Sequence, residues 1–446
     1  MNVNQSKFHG DLKKTTLKLG KRLLLTGLIL AAGLSVWAQN LDKARDLLKA
    51  NKIAEAKTEI DKALTVEKLQ KNPESWYIKT KVYNAIAVND ALKIQYPDAR
   101  AQAMESLKKY TELAEKDDKK LFLLQLDAFK PMNDIYQGYF QDGATAYNAA
   151  NFAGALTDFI GALKASAFMT IKGWTTMKID TTCTLYAGIS AEKASKRDTA
   201  AIYYGLLVDA GITSAPSANM IEIYKWLVDY YNTKKDEANT RKYLSFGKAK
   251  FPDDPFWLTM ELDNLRTGNG NKDSLFAKYQ EITDKFPKNH LFLFNYGVEL
   301  YQYANDTSSG KRPANSDELI QKAKVEFTKC LEVNPDYVQA ALALGQISYN
   351  EGIDMQGQTK LIKGSKPEDI KKRSELRVAA GKKFDEALPY FEKVDQILGS
   401  KGKLKMDEKK TLKDTYDLMI TIYDQKNLKD KSDAFTTKYN NVDKDH

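Results

Sequence analysis

The sequence predicts an all-α chain of stacked antiparallel helix pairs, and three observations predict it. The first is a recurrent spacing. A small residue is followed twelve positions later by another, then after four by a large apolar or aromatic residue, then after three by a small or apolar one. It reads Ala44, Ala56, Ile60, Ala63, then Gly143, Ala155, Phe159, Ala162, then Gly188, Ala200, Tyr204, Leu207. Residues four and seven apart share one helix face, and small residues there let a paired helix approach closely. The second observation is the period, about 34 residues, of an array whose units bury their apolar faces only against neighbours. The third is composition: 43% hydrophobic and 28% charged residues, with Gly and Pro sparse, favour helices over a sandwich or barrel.

About nine units follow in order. The first starts near Asn40 and carries Ala44, Ile53, Ala56, Ile60 and Ala63. The second has Trp76, Thr80 and Tyr83, then Ala103 and Leu107 after an insertion; Lys119 to Asn133 reads as an extra helix. In the third, Tyr139, Gly143 and Ala146 face Phe152, Ala155, Phe159 and Ala162 across a turn at Asn151. Gly143 and Ala155 are expected to be small because two backbones meet there. The fourth centres on Gly188, and the fifth has Tyr224, Leu227, Tyr231, Leu244 and Gly247. The sixth runs from Phe256-Trp257 through Leu275, Tyr279 and Ile282. Gly297, Ala323, Phe327 and Cys330 define the seventh, and Gly345, Phe384, Ala387 and Phe391 the eighth. Met419, Ile422, Leu428 and Phe435 form a degenerate capping unit. Proline five residues after the last small position ends a helix at Gly247–Pro252, Ile282–Pro287 and Cys330–Pro335, because it lacks the N–H a helix needs and restricts its predecessor.

This ladder with its closing proline resembles the tetratricopeptide repeat (TPR) family. The resemblance implies a right-handed superhelical solenoid acting as a protein-binding scaffold. Its first helices would line a concave groove, with residues beside the packing positions pointing inward. Those residues here are Tyr77, Lys81, Asn84, Phe140, Tyr147, Asn148, Lys225, Asp229, Asn232, Phe294, Tyr301, Tyr349 and Asn350. The family's carboxylate clamp has no counterpart set in this chain.

Residues 1–38 read as a signal peptide. Lys13, Lys14, Lys18, Lys21 and Arg22 precede an apolar run from Leu23 to Leu34, and Val36-Trp37-Ala38 offers a cleavage site. The run is too short for the roughly 20 residues of a spanning helix. Gln39 follows, so no cysteine stands there to take a lipid. Removing this leader takes away six Lys/Arg and one Asp, leaving 62 basic and 58 acidic residues and a net charge of only +4. That excludes a chain-wide attraction to nucleic acid. Beyond it, residues 39–168 form N-terminal repeats, 169–180 a connecting segment, 181–440 C-terminal repeats with insertions at 304–315 and 351–383, and 441–446 a tail. Cys183 and Cys330, several units apart, are expected as buried free thiols.

Catalytic constellations are absent from the pattern. Of three histidines only His290 lies inside the repeats, in a turn after Pro287, and no HExxH or CxxC spacing exists. Gly268-Asn269-Gly270 reads as a turn, and Asp253-Asp254 as a helix cap. No cofactor or metal is expected. The insertion from Gln356 to Lys383 carries nine Lys/Arg against three acids. Its Lys363, Lys366, Lys371, Lys372, Arg373 and Arg377 suit an anionic envelope component such as phospholipid, lipopolysaccharide or an acidic protein. The expectation is a non-enzymatic scaffold exported to the periplasm or envelope of a Gram-negative bacterium, binding a protein or peptide. A carbohydrate-binding helical protein and a hydrolase on a helical scaffold are the alternatives. The first would gather stacking rings in one pocket, the second carboxylates of raised pKa in a cleft.

Overall fold

A computed structural model describes residues 41–115, 121–215, 219–267 and 271–446. The signal-peptide segment and the turn at Gly268-Asn269-Gly270 lie outside them. The described residues form helices joined by turns and loops, with no strand among them. The chain divides into two compact units between Phe251 and Pro252, and the 169–180 segment lies inside the first.

In the first unit, α1 (41–49) precedes α2 (Ile53–Ala63) and the short α3 (Glu67–Gln70). Then come α4 (Pro73–Val88), α5 (Asp90–Gln95), α6 (Ala99–Ala114), α7 (Phe122–Leu126), α8 (Lys130–Asn148) and α9 (Phe152–Ile171). The unit ends with α10 (Thr181–Lys193), α11 (Arg197–Asp209), α12 (Met220–Thr233) and α13 (Glu237–Lys250). Helix α4 pairs with α6, α8 with α9, α10 with α11 and α12 with α13, and each pair packs on the next. In the second unit the pairs are α14 (Phe256–Thr267) with α15 (Lys272–Lys285), α16 (His290–Ala304) with α17 (Ser316–Val333), α18 (Val338–Leu361) with α19 (Pro367–Gly399), and α20 (Met406–Gln425) with α21 (Lys429–Asp445).

One turn recurs inside these hairpins. Asn51, Ala150, Ser195, Lys235 and Asn427 all have φ between 54° and 60°. Each left-handed residue lies at the head of a paired hydrogen-bond motif, as where Ser195 N donates to Glu192 O and Lys196 N to Ala191 O, at 2.9 and 2.8 Å. That motif satisfies the last carbonyls of the first helix and reverses the chain. It stands seven residues after Ala44, Gly143 and Gly188 and five before Ala56, Ala155 and Ala200, so the turn sets the spacing of twelve.

The prolines act as expected. Phe251, Phe286 and Asn334 each precede one, sit at φ between −132° and −122°, and donate N–H to the carbonyls of Gly247, Ile282 and Cys330. Asp254 caps the next helix, accepting from Phe256 N at 2.9 Å.

Three expectations need correction. Gly143 and Gly188 are small because a ring lies over them. A Cβ at Gly143 would meet the Phe159 ring at 3.1 Å, and one at Gly188 the Tyr204 ring at 2.5 Å. The partner is therefore the ladder's own aromatic, not a second backbone. The extra helix expected over Lys119 to Asn133 is only α7. The chain breaks at Ala128 and Phe129, with φ 49° and 58°, and α8 restarts with Pro131 in its first turn. Helix α9 runs on to Ile171, so the segment from 169 begins as helix; Gly173, at φ 70°, follows it. Among the described residues α9 is also the one helix long and apolar enough to cross a membrane. Its Ala155, Phe159 and Ala162 are buried, and the helix packs on α8 and α10.

Both cysteines are buried and free. Burial pushes Cys183 up to about 12 and Cys330 up to about 11, which makes each an inert packing residue.

Candidate functional site

A cleft of about 710 Å³ opens in the first unit between α4 and α8. Helix α4 supplies Lys81, Asn84, Ala85 and Val88, spaced by three and four so that all share one face. Helix α8 supplies Lys130, Asp134, Gln137, Gly138, Gln141 and Asp142, again a single stripe. Leu48, Lys93, Arg100 and Asp127 close the ends.

The charges are arranged in pairs. Lys81 Nζ lies 2.8 Å from Asp127 and Lys130 Nζ 2.7 Å from Asp134. Arg100 donates through Nη2 to Asp142 at 2.7 Å and through Nε at 3.2 Å. The Lys81 ammonium, then the Tyr77 hydroxyl, hold the Asp127 carboxyl below its usual range. Arg100 is only 7% exposed, and its guanidinium fits because Gly138 has no side chain to collide with it. Behind it, burial pushes the Asp158 carboxyl up to about 6; the nearby Asp142 carboxylate adds to the rise and Arg100 opposes it.

Asn84 is 8% exposed. Its amide nitrogen donates to Pro131 O at 2.9 Å, while its Oδ1 is buried and has no partner. An unpaired buried acceptor costs about 1–3 kcal/mol.

Of the expected groove residues, Lys81 and Asn84 reach this cleft. Tyr77 does not: it is buried, with its hydroxyl 2.5 Å from Asp127 and 3.0 Å from the Leu123 carbonyl. Phe140 and Tyr147 are also packing residues. Phe140 stands edge-on to Phe159, and Tyr147 edge-on to Phe152 and Tyr186. Asn148 is exposed near the hairpin turn. The open face of α8 is thus rotated one residue, about 100°, from the expected one. Its stripe at 134, 137, 138, 141 and 142 was missed. The charged and amide residues at that spacing carry the signal, but aromatics drew the reading to the other side.

The remaining candidates are scattered. Lys225 pairs with Glu222 at 3.3 Å, Asp229 with Arg197 at 3.5 Å, and Asn232 is exposed. In the second unit Phe294 packs on Phe327 and Tyr337, and Tyr349 on Phe384. Tyr301 accepts from Asn350 at 3.3 Å. His290 packs edge-on to Tyr337 at the start of α16. Among the described residues no group of three potential ligands could hold a metal.

The basic insertion is an extension of α18 and α19 into a long helical hairpin. Lys363, Lys366, Lys371 and Lys372 are exposed near its tip. Arg373 is not available as expected. It donates to the carbonyls of Ile362 and Gly364 and so closes the tip loop.

The fold is a stack of antiparallel helix hairpins. No family model matches the chain, and no curated protein does. Among solved structures it is similar to the P58(IPK) TPR domain, at 13% identity over 86% of this chain and 98% of that one, with a TM-score of 0.23. Yeast Tom70 matches at 12% identity over 88% and 77%, TM-score 0.24, and a human IFIT1 dimer with PPP-AAAA at 11% over 90% and 89%, TM-score 0.23. Matches this distant carry no argument about partner or mechanism, so the architecture rests on the hairpins of this chain.

Proposed function

We propose that the chain is a non-enzymatic scaffold of the bacterial cell envelope, exported to the periplasm, which binds a protein segment in the cleft between α4 and α8. The cleft's lining carries the reading. It combines three ion pairs with the amides of Gln137 and Gln141. These suit an extended peptide, whose backbone bonds the amides of Gln137 and Gln141 and whose side chains of either sign replace an internal partner. Among the described residues no aromatic ring lines the cleft, although a sugar site normally stacks its ligand on one. Asp158, the carboxyl with the raised pKa that a hydrolase would want, is not part of the lining. Export rests on the basic, apolar and small-residue order of residues 13–38. An anionic envelope component at the basic tip of the helical extension is a second contact in the same reading.

The test is affinity capture from envelope extract with the wild-type chain and a cleft-filled Gln137→Trp/Gln141→Trp variant. Retained protein that the variant loses supports the reading. Equal retention by both, or retention of glycan alone, refutes it.

A further inference from the structure

The seam between α18 and α19 has a simple antiparallel register. A Cβ at Gly345 would meet the Phe391 ring at 2.6 Å, and one at Gly352 the Phe384 ring at 2.7 Å. Seven residues forward on one helix match seven back on the other. The next layer therefore brings Thr359 opposite Arg377, so no ring fills it. Gly381, one turn further along α19, has no atom within 4 Å of where its Cβ would stand. A pocket of about 400 Å³ opens at this level, bounded also by the end of α20.

Three cations line that pocket, Lys360, Arg377 and Lys426, and among the described residues no carboxylate does. Lys426 pairs with Asp385. Lys360 and Arg377 have no ion-pair partner among the described residues. Gln356 donates to Gln425 at 2.8 Å, tying the extension to α20 and leaving the remaining amide donors at the rim. Phe384 supplies an apolar wall. Lys360 and Arg377 line one pocket without a counter-ion, and an oxyanion offsets their positive charge while accepting charge-assisted hydrogen bonds.

We propose that this pocket is a binding site for a small oxyanion of two or more negative charges, a phosphate or a polycarboxylate. Arg377 and Lys360 grip it, and Lys426, already paired with Asp385, borders the site. The site is independent of the cleft between α4 and α8 and of the exposed lysines at the hairpin tip.

Isothermal titration of the purified full chain with inorganic phosphate and, separately, citrate tests it at constant ionic strength. Saturable binding of at least one is expected, whichever is tighter naming the ligand class. Arg377→Gln and Lys360→Gln, both exposed and without packing roles, should each weaken it about tenfold. Lys366→Gln, eleven residues before Arg377 at the start of α19 and so roughly 16 Å from it along the helix axis, should change it less than about twofold, since surface charge is screened beyond about 10 Å. No saturable binding of either anion would overturn the proposal. So would an equal loss in the tip variant, which would mark general electrostatic attraction.

Discussion

The Cβ that Gly188 lacks would stand 2.5 Å from the ring of Tyr204. That ring is fixed at its far end as well. Its hydroxyl donates to Glu192 at 2.7 Å, and the same carboxylate accepts from Trp226 Nε1 at 2.9 Å. Gly188→Ala must therefore displace a ring that has nowhere to go. A loss of about 1–3 kcal/mol is expected in urea unfolding, with part of it recovered by Tyr204→Leu in the same chain. A neutral Gly188→Ala would mean that the ladder does not pack as described.

Tyr296 offers the opposite sign. It is fully buried, stacked on Tyr279 with centroids 5.2 Å apart, and its hydroxyl has no partner. Tyr296→Phe keeps the ring and removes the unsatisfied group. A gain of up to about 1 kcal/mol is expected; thermal unfolding showing a clear loss would contradict it.

Asp158 makes stability depend on pH. Its carboxyl is raised to about 6 in the folded state, against about 3.9 unfolded, so the folded chain binds this proton more tightly. The contribution favours folding below the unfolded value and is lost as pH rises through about 6. Asp158→Asn should therefore stabilise the chain at pH 7.5 and make little difference near pH 4. Asp158 is half-buried, and solvent screening holds the effect to about 1 kcal/mol. Urea midpoints at the two pH values measure it; a difference independent of pH would exclude this origin.

Cys183 and Cys330 should resist a thiol-specific disulfide reagent at pH 8 in the native chain, because burial keeps both protonated. Two thiols should react at once in denaturant. Prompt labelling of the native chain would show that one of the two is accessible.

Much of the fold was legible because a helical hairpin writes itself into local spacing. The left-handed turn residue at Ser195 or Ala150 fixes a step of twelve, and the prolines at 252, 287 and 335 end helices by missing an N–H. Faces were harder. On α4, Lys81 and Asn84 line the cleft, whereas on α8 the aromatics Phe140 and Tyr147, expected to face a groove, pack against other rings. A ring at helical spacing looks alike whether it packs or waits for a ligand, and a shift of one residue turns a helix face by about 100°.

By itself, then, the sequence determined the helix hairpins and their register, since both follow from backbone hydrogen bonds and side-chain volume within some twenty residues. Which sides stay open was decided by tertiary structure. Arg100 enters the cleft only because Gly138 on another helix leaves it space, and the pocket at Arg377 exists only because two stacked layers of rings stop one layer short of it. Those outcomes depend on neighbours distant along the chain, whose approach no local spacing records.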